Sequence, residues 1–221
     1  MDRQKETQHF IRRVEALNTN FVVPEKEKGS MRICTFNVHR LRTPLPIDFS
    51  GADTQDMVGN VLRNLDIDIA LLQECSSTTL LRNTFPFFDV DPATQLAIGS
   101  WYPLTKVNAS SYIAQNFTAP GVLLTNVHLD VNNPRAAFSR LVPQLRTYNS
   151  QQVVAGDFND TQAANWVPSV RPDLMYRTSG ATCWANTEID FIFTNIPILK
   201  AFAVPVTVSD HLPIVYDIKS I

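Results

Sequence analysis

Glycine and cysteine are both scarce in this chain. Only seven of 221 residues are glycine, and no glycine-rich phosphate loop appears among them. The three cysteines, Cys34, Cys75 and Cys183, form an odd and scattered set, which excludes a disulfide framework. They are expected to be small buried hydrophobes, since none has a histidine close in sequence to activate a thiol. No apolar stretch approaches the roughly 20 residues that cross a bilayer. Neither sign of charge dominates either: 19 basic residues face 21 acidic ones. A global positive field of the kind that gathers polyanions is therefore missing, and any phosphate-binding surface must be local. Repeats and low-complexity tracts are absent as well.

What is present is enough apolar sequence for one sizeable core: 44% of residues are apolar and 18% are charged. One main domain is expected over residues 31–221. Residues 1–30 read as an amphipathic helix, with Phe10, Ile11, Val14 and Leu17 at helical spacing, followed by a charged, turn-forming linker. This helix is expected to pack on the domain, with a protein contact as the alternative. Its charged first 20 residues do not resemble a signal peptide, so an intracellular protein, cytoplasmic or nuclear, is expected. Of three glycosylation sequons, at Asn108, Asn116 and Asn159, the last falls on a candidate site residue, where a glycan would block the chemistry.

From Met31 onward, short β-branched runs alternate with turns. Strands are expected at 31–38, 67–73, 95–99, 111–116, 122–128, 152–156, 189–194, 199–206 and 212–218. Met57, Val58, Val61, Leu62 and Leu65 form one helical stripe, and Phe138, Leu141, Val142 and Leu145 form another. The second helix has a cap in Asn133 and a first-turn proline in Pro134, while Pro143 should kink or shorten it. Runs such as Val122 to Val127 are too continuously apolar to face water. The expected fold is an α/β (α+β) arrangement of two packed mixed sheets flanked by helices, a four-layer α/β/β/α sandwich.

Polar residues at the ends of these buried runs carry the chemistry, because a carboxylate or amide there needs a partner. They occur in Phe36-Asn37-Val38-His39, Leu72-Gln73-Glu74, Asn126-Val127-His128, Gly156-Asp157-Phe158-Asn159, Ile189-Asp190-Phe191 and Ser209-Asp210-His211. Asp157 and Asn159 are two apart, so extended backbone would aim both side chains the same way. An Asx-type turn is the alternative for that pair. Asp190 interrupts an apolar strand and needs a cation or a histidine, for which His211 is the natural candidate. Each motif alone has a bland reading as a turn or a solvated strand end. Six of them at the ends of buried strands are harder to dismiss.

With Leu96-Ala97-Ile98, Tyr102-Pro103 and the trailing Leu212-Pro213, these motifs occur in the order found in the endonuclease/exonuclease/phosphatase superfamily, which the sequence resembles from about Arg32 to Ile218. That superfamily includes nucleases, inositol-polyphosphate phosphatases and sphingomyelinases. The resemblance implies a Mg²⁺-dependent phosphoesterase, with Mn²⁺ as substitute. It makes Glu74 the main metal ligand, helped by Asn37 and Asp210. It makes Asp157 the group that deprotonates the attacking water, Asn159 its positioner, His211 a phosphate-binding cation held by Asp190, and His128 a contact to the phosphate or leaving group. Hard oxygen donors suit Mg²⁺ rather than zinc. His39 departs from the small or acidic residue usual at its position, and with Arg40 and Arg42 it is a candidate substrate contact. Nucleic acid, DNA before RNA, is the expected substrate of a monomer. An inositol phosphatase or sphingomyelinase is the alternative, and a silent binding module ranks behind both.

Overall fold

Alternation along one strand sets the frame. In β1 (Ser30–Asn37), Ile33 joins an apolar core between two sheets, whereas Cys34 and Phe36 join another on the outer face. Successive side chains of extended backbone leave opposite faces, so Thr35 and Asn37 follow Ile33 inward. The computed structural model describes residues 3–42, 53–107, 114–119, 121–148 and 151–220.

Two sheets stack face to face. The first runs β10 (Ile198–Ala203), β11 (Ile214–Lys219), β1, β2 (Ile69–Gln73), β4 (Leu96–Ser100), β3 (Phe87–Asp91). The second runs β5 (Thr105–Lys106), β6 (Ala114–Ala119), β7 (Val122–His128), β8 (Gln151–Asp157), β9 (Asp190–Thr194). Between them lie Ile33, Ile69, Leu71, Ile98, Leu124, Val153, Ile192 and Ile214, among others. Each such buried side chain contributes about 1.5–3 kcal/mol relative to exposure. Outside the first sheet, α2 (Gln55–Asn64) and α3 (Thr78–Arg82) bury Val58, Leu62, Leu80 and Leu81. Outside the second, α4 (Pro134–Arg146) and α5 (Ala163–Val170) bury Phe138, Leu141, Trp166 and Val167. The expected α/β/β/α sandwich is the observed one.

Two strand pairs are parallel, β1 with β2 and β7 with β8. One belongs to each sheet. The carboxyl ends of both pairs meet at one end of the sandwich, where the Asn37 side chain reaches Asp157 across the layers. The strand expected over 111–116 is found as Ala114–Ala119, with residues 111–113 and the Asn108 sequon outside the described residues.

Several local expectations need correction. Helix α4 has its Asn133 cap, whose side chain accepts from Ala136 N, but it is not shortened at Pro143 and continues to Arg146. Pro143 and Ser139 are both exposed, so water can satisfy the carbonyl that the proline leaves unbonded. Met57 of the α2 stripe is 53% exposed, which leaves a narrower apolar face than its spacing suggested. The first helix, α1 (Arg3–Asn18), buries Phe10 and Val14 against the domain, while Leu17 stays in solvent. No helix among the described residues is long and apolar enough to cross a membrane.

Candidate functional site

The polar motifs gather where the parallel pairs end. Asn37 closes β1, Glu74 follows β2, His128 closes β7 and Asp157 closes β8. Asp190 opens β9 directly opposite Asp157, in register. Asn37 Nδ2 donates to Asp157 Oδ2 at 3.1 Å and to Glu74 Oε1 at 3.3 Å, joining the two sheets. The same Asp157 oxygen lies 3.8 Å from His128 Nε2 and 3.8 Å from His211 Nε2. His211 turns its other nitrogen, Nδ1, to Asp190 Oδ2 at 2.9 Å and Oδ1 at 3.1 Å. Asp157 is only 2% exposed and Asp190 only 1%. Two buried acids therefore bracket one imidazole.

Backbone geometry fixes these groups. Gly156 has φ +152°, and a Cβ there would lie 1.8 Å from the Val127 carbonyl oxygen, so only glycine lets β8 come this close to β7 just before Asp157. Glu74 and Asn159 have φ near +52°, which turns each out of its strand direction. For Asn159 this overturns the expectation of two parallel side chains. The strand stops at Asp157, and Phe158 enters the outer core. Asn159 N then donates to Asp157 Oδ1 at 2.9 Å, while its Nδ2 donates to Leu129 O at 2.9 Å. Asn159 locks the Asp157 carboxylate through an Asx-type turn.

Three supports escaped the sequence reading. Thr182 Oγ1 donates to Asp190 Oδ2 at 2.7 Å and accepts from the N–H groups of Ile189 and Asp190. Ser209 Oγ donates to the Asn37 carbonyl at 2.8 Å and so brings Asp210 beside Asn37. Beneath them, Gln73 Nε2 bonds Asn126 Oδ1 at 2.7 Å between the sheets, and Asn126 Nδ2 donates to the carbonyls of Leu72 and Ala97. A lone hydroxyl or amide in sequence carries no signal of this kind. Gln73, Asn126 and Ser209 stood within the quoted motifs without a role of their own, and Thr182 stood in none.

Electrostatics follow from burial and pairing. Burial alone would lower the His211 pKa, but the charge and hydrogen bond of Asp190, then Asp157 and Asp210, hold it well above the usual imidazole range. Burial pushes the Asp190 carboxyl upward, against the pull of His211. The imidazolium–carboxylate form is the one this geometry supports, because Nδ1 meets both Asp190 oxygens and Nε2 faces Asp157, so the ring stands between two buried acids. At the rim, His39 Nδ1 lies 3.1 Å from Asp210 Oδ1. That hydrogen bond raises the His39 pKa. For Asp210, burial acts upward but is outweighed by His39 and His211, so its pKa falls.

The acids divide into two groups by their capacity for a cation. Asp157, Asp190 and His211 have ligand atoms within 4.8 Å of one another. Asp190 is already saturated there by His211 and Thr182. Glu74 is more open, meeting the Asn37 amide and, at 3.6 Å, the Arg40 Nε. Its carboxylate and that of Asp210 are each about one-fifth exposed, and carboxylates are hard oxygen donors of the kind that divalent cations of the Mg²⁺ class accept. Asn37 meets this edge through its amide nitrogen, its Oδ1 accepting from His39 N at 3.1 Å.

A groove of about 420 Å³ opens beside this cluster, walled by Arg40, Thr94, Gln95, His128 and Asp130. The turn carrying Gln95 is tied to the residue after Glu74 by Cys75 N, which donates to Gln95 O at 2.8 Å. His39, Arg40 and Leu41 all have positive φ, a tight turn that swings Arg40 back over Glu74. Arg42, beyond that turn, forms an isolated bridge with Asp53. Trp166 is core and Trp184 is partly buried beneath α1, while the exposed Trp101 follows β4 at the strand end remote from Leu96.

The comparisons with known proteins bear on the fold and the family. No curated protein sequence matches the chain. Among solved structures, truncated TDP2 of Caenorhabditis elegans superposes with a TM-score of 0.63 at 15% identity, covering 89% of this chain and 100% of that one. The mannosyl-6-phosphatase Bt3783 of Bacteroides thetaiotaomicron gives 0.62 at 15% identity, covering 86% and 99%. ANGEL2, a 2',3'-cyclic phosphatase, gives 0.66 at 12% identity, covering 90% and 98%. At these identities the likeness is one of fold. The profile of the Endonuclease/Exonuclease/phosphatase family matches residues 34–211, a span holding Asn37, Glu74, His128, Asp157, Asp190 and His211. This chain belongs to the endonuclease/exonuclease/phosphatase family and is a hydrolase of phosphoester bonds.

Proposed function

We propose that the chain is a Mg²⁺-dependent phosphodiester hydrolase of nuclease type, acting on a DNA end, a damaged site or an adduct. The observation that carries this reading is the single Asp157 oxygen held within 3.8 Å of two imidazoles at the edge of an open groove. Attack of water on a phosphodiester builds negative charge on the phosphoryl and leaving oxygens, and fixed donors aimed there lower the barrier. Asp157 takes the proton of the attacking water. Asn159 holds the Asp157 carboxylate for that task through its backbone N–H. His211, kept cationic by Asp190, donates to a nonbridging oxygen, and His128 faces the leaving group from the groove side. Glu74, steered by the Asn37 amide, and Asp210 would hold the cation. When bound, Mg²⁺ supplies Lewis-acid neutralisation of the phosphoryl charge. Arg40 and His39 line the approach of the substrate.

One observation supports a second reading. Arg40 is the sole arginine or lysine on the described groove walls, which also carry the acidic Asp130. A groove of that balance also suits a hydroxyl-rich alcohol carrying one phosphate, the class of an inositol or sugar phosphate. A panel distinguishes the two. Purified protein with Mg²⁺ is offered a generic phosphodiester, single-stranded and abasic duplex DNA, a 5′-phosphotyrosyl oligonucleotide, an inositol phosphate and a simple phosphomonoester. The proposal requires turnover of at least one DNA diester above the monoesters; turnover of monoesters alone would replace it with the second reading.

A further inference from the structure

The helix that precedes the domain touches the segment that carries His211. Phe10 and Val14 of α1 are each 1% exposed and pack with Leu212, the residue after His211, with Trp184 and Ala203 against them. Between these two apolar residues, Arg13 donates through Nη2 to the Cys183 carbonyl at 3.2 Å and bonds the Asn186 side chain. The same guanidinium lies over the Phe10 ring at 5.4 Å. Residues 182–184 are in turn the backbone splint of the site. Trp184 N donates to Asp210 O at 2.8 Å and Leu212 N donates to Thr182 O at 2.7 Å, so His211 is clasped from both sides. Thr182 also orients Asp190 through its hydroxyl.

We infer that α1 is a positioning element for the reaction, with Phe10, Arg13 and Val14 setting the place of His211 and its partner Asp190. This rests on the role given to His211 above. Helices α2 to α5 pack on the outer faces of the two sheets, whereas α1 meets the first sheet at Ala203 of β10. The small cluster of Phe10, Val14 and Leu212 is distinct from the three large cores and adjoins the one between the sheets at Ala203. What the helix covers is the outer side of a two-stranded clasp whose inner side is the active site. Removing side-chain volume there frees the clasp to shift, and sub-ångström to ångström displacements of a phosphate-binding cation cost rate rather than ground-state affinity.

The test uses the full-length chain with Phe10→Ala, Phe10→Leu, Arg13→Gln and Arg13→Lys. Turnover of the best diester with Mg²⁺ is measured beside thermal denaturation and the low-field proton NMR signal of the His211 Nδ1–H shared with Asp190. Phe10→Ala and Arg13→Gln are expected to lower kcat about 10- to 100-fold with KM within about two-fold. They should also broaden or shift the His211 signal while the main unfolding transition stays in place. Phe10→Leu and Arg13→Lys should recover most of the loss. Folded Phe10→Ala with wild-type kcat and an unmoved His211 signal would overturn the inference, as would activity that falls only in step with the unfolded fraction in all four variants. If the wild type turns over no phosphoester, the functional reading fails, and the NMR signal alone still decides whether α1 positions His211.

Discussion

The Nδ1 of His211 lies 2.9 Å from Asp190 Oδ2, in a pocket that leaves the two side chains almost no solvent. Because that carboxylate outweighs the desolvation of the ring, the folded pKa of His211 stands above the unfolded value of about 6.5. The pair's contribution to stability is therefore fully present below the unfolded pKa and is lost as pH rises through the folded one. In the wild type, His211 should remain a cation through neutral pH. Asp190→Asn removes the opposing charge and leaves the desolvation, so His211 should lose its proton at lower pH. The alkaline limb of the kcat/KM profile should move downward in pH, and neutral-pH activity should fall about 10²- to 10³-fold. Titration of His211 by ¹H–¹⁵N NMR in both proteins checks the assignment. An unmoved alkaline limb would separate Asp190 from the histidine's function.

Asp217 and Arg32 predict a stability effect remote from the chemistry. Arg32 Nε and Nη2 bond the two Asp217 oxygens at 2.6 and 2.8 Å, and both residues are essentially fully buried on the outer face of the first sheet. Two further guanidinium hydrogens reach the carbonyls of Leu65 and Pro24. Asp217→Ala leaves a buried cation without its partner and should cost about 3–5 kcal/mol. Urea denaturation measures this, and the fraction that stays folded should retain wild-type turnover. A cost below about 1 kcal/mol would mean that water reaches the guanidinium.

Much of this architecture was legible because it repeats simple patterns. Period-two alternation through Ile33, Thr35 and Asn37, or through Val153, Ala155 and Asp157, announces both the strand and the inward polar residue at its end. What stayed hidden lacked a period. Strand β3 carries Asp89 and Asp91 and is partly exposed, so it reads as loop; β5 is two residues long; α3, at five residues, is too short for a helical stripe. Helix α5 holds Pro168, which argues locally against a helix. Arg32 looked like an ordinary strand residue because its partner stands 185 positions away. Thr182 and Ser209 act through hydroxyls whose partners, Asp190 and the Asn37 carbonyl, are set by the fold and not by their own neighbourhoods. Asn159 was read in the right place with the wrong geometry, since an extended backbone was assumed one residue past the strand's end.

The thiols offer a third test. Cys34, Cys75 and Cys183 are free and buried. Burial pushes the Cys75 thiol up to about 11 and raises Cys34 as well, so little thiolate exists at neutral pH. Native protein should react with a thiol reagent far more slowly than protein in denaturant, and brief alkylation should leave phosphoesterase activity intact. Rapid inactivation would give a cysteine a role that this site does not require.

Arg40 provides a fourth. Its side chain is mostly exposed, approaches Glu74 at 3.6 Å and walls the groove. Arg40→Ala should raise KM for an extended diester several-fold, with little effect on thermal stability. For a small aryl phosphodiester that does not fill the groove, the rise should be smaller. Equal effects on both substrates would move Arg40 from the groove to the phosphate itself.

The central claim concerns the cation edge formed by Glu74 and Asp210, and its most direct measurement is Mg²⁺ binding coupled to turnover. Wild type and Glu74→Gln are titrated with Mg²⁺ by calorimetry, and hydrolysis of a generic phosphodiester is followed with Mg²⁺ and with chelator. The account predicts saturable binding to the wild type, binding weakened at least about ten-fold in Glu74→Gln, and diester turnover that disappears in chelator and returns with added Mg²⁺. Turnover that persists in chelator, or Mg²⁺ binding that Glu74→Gln leaves unchanged, would contradict it.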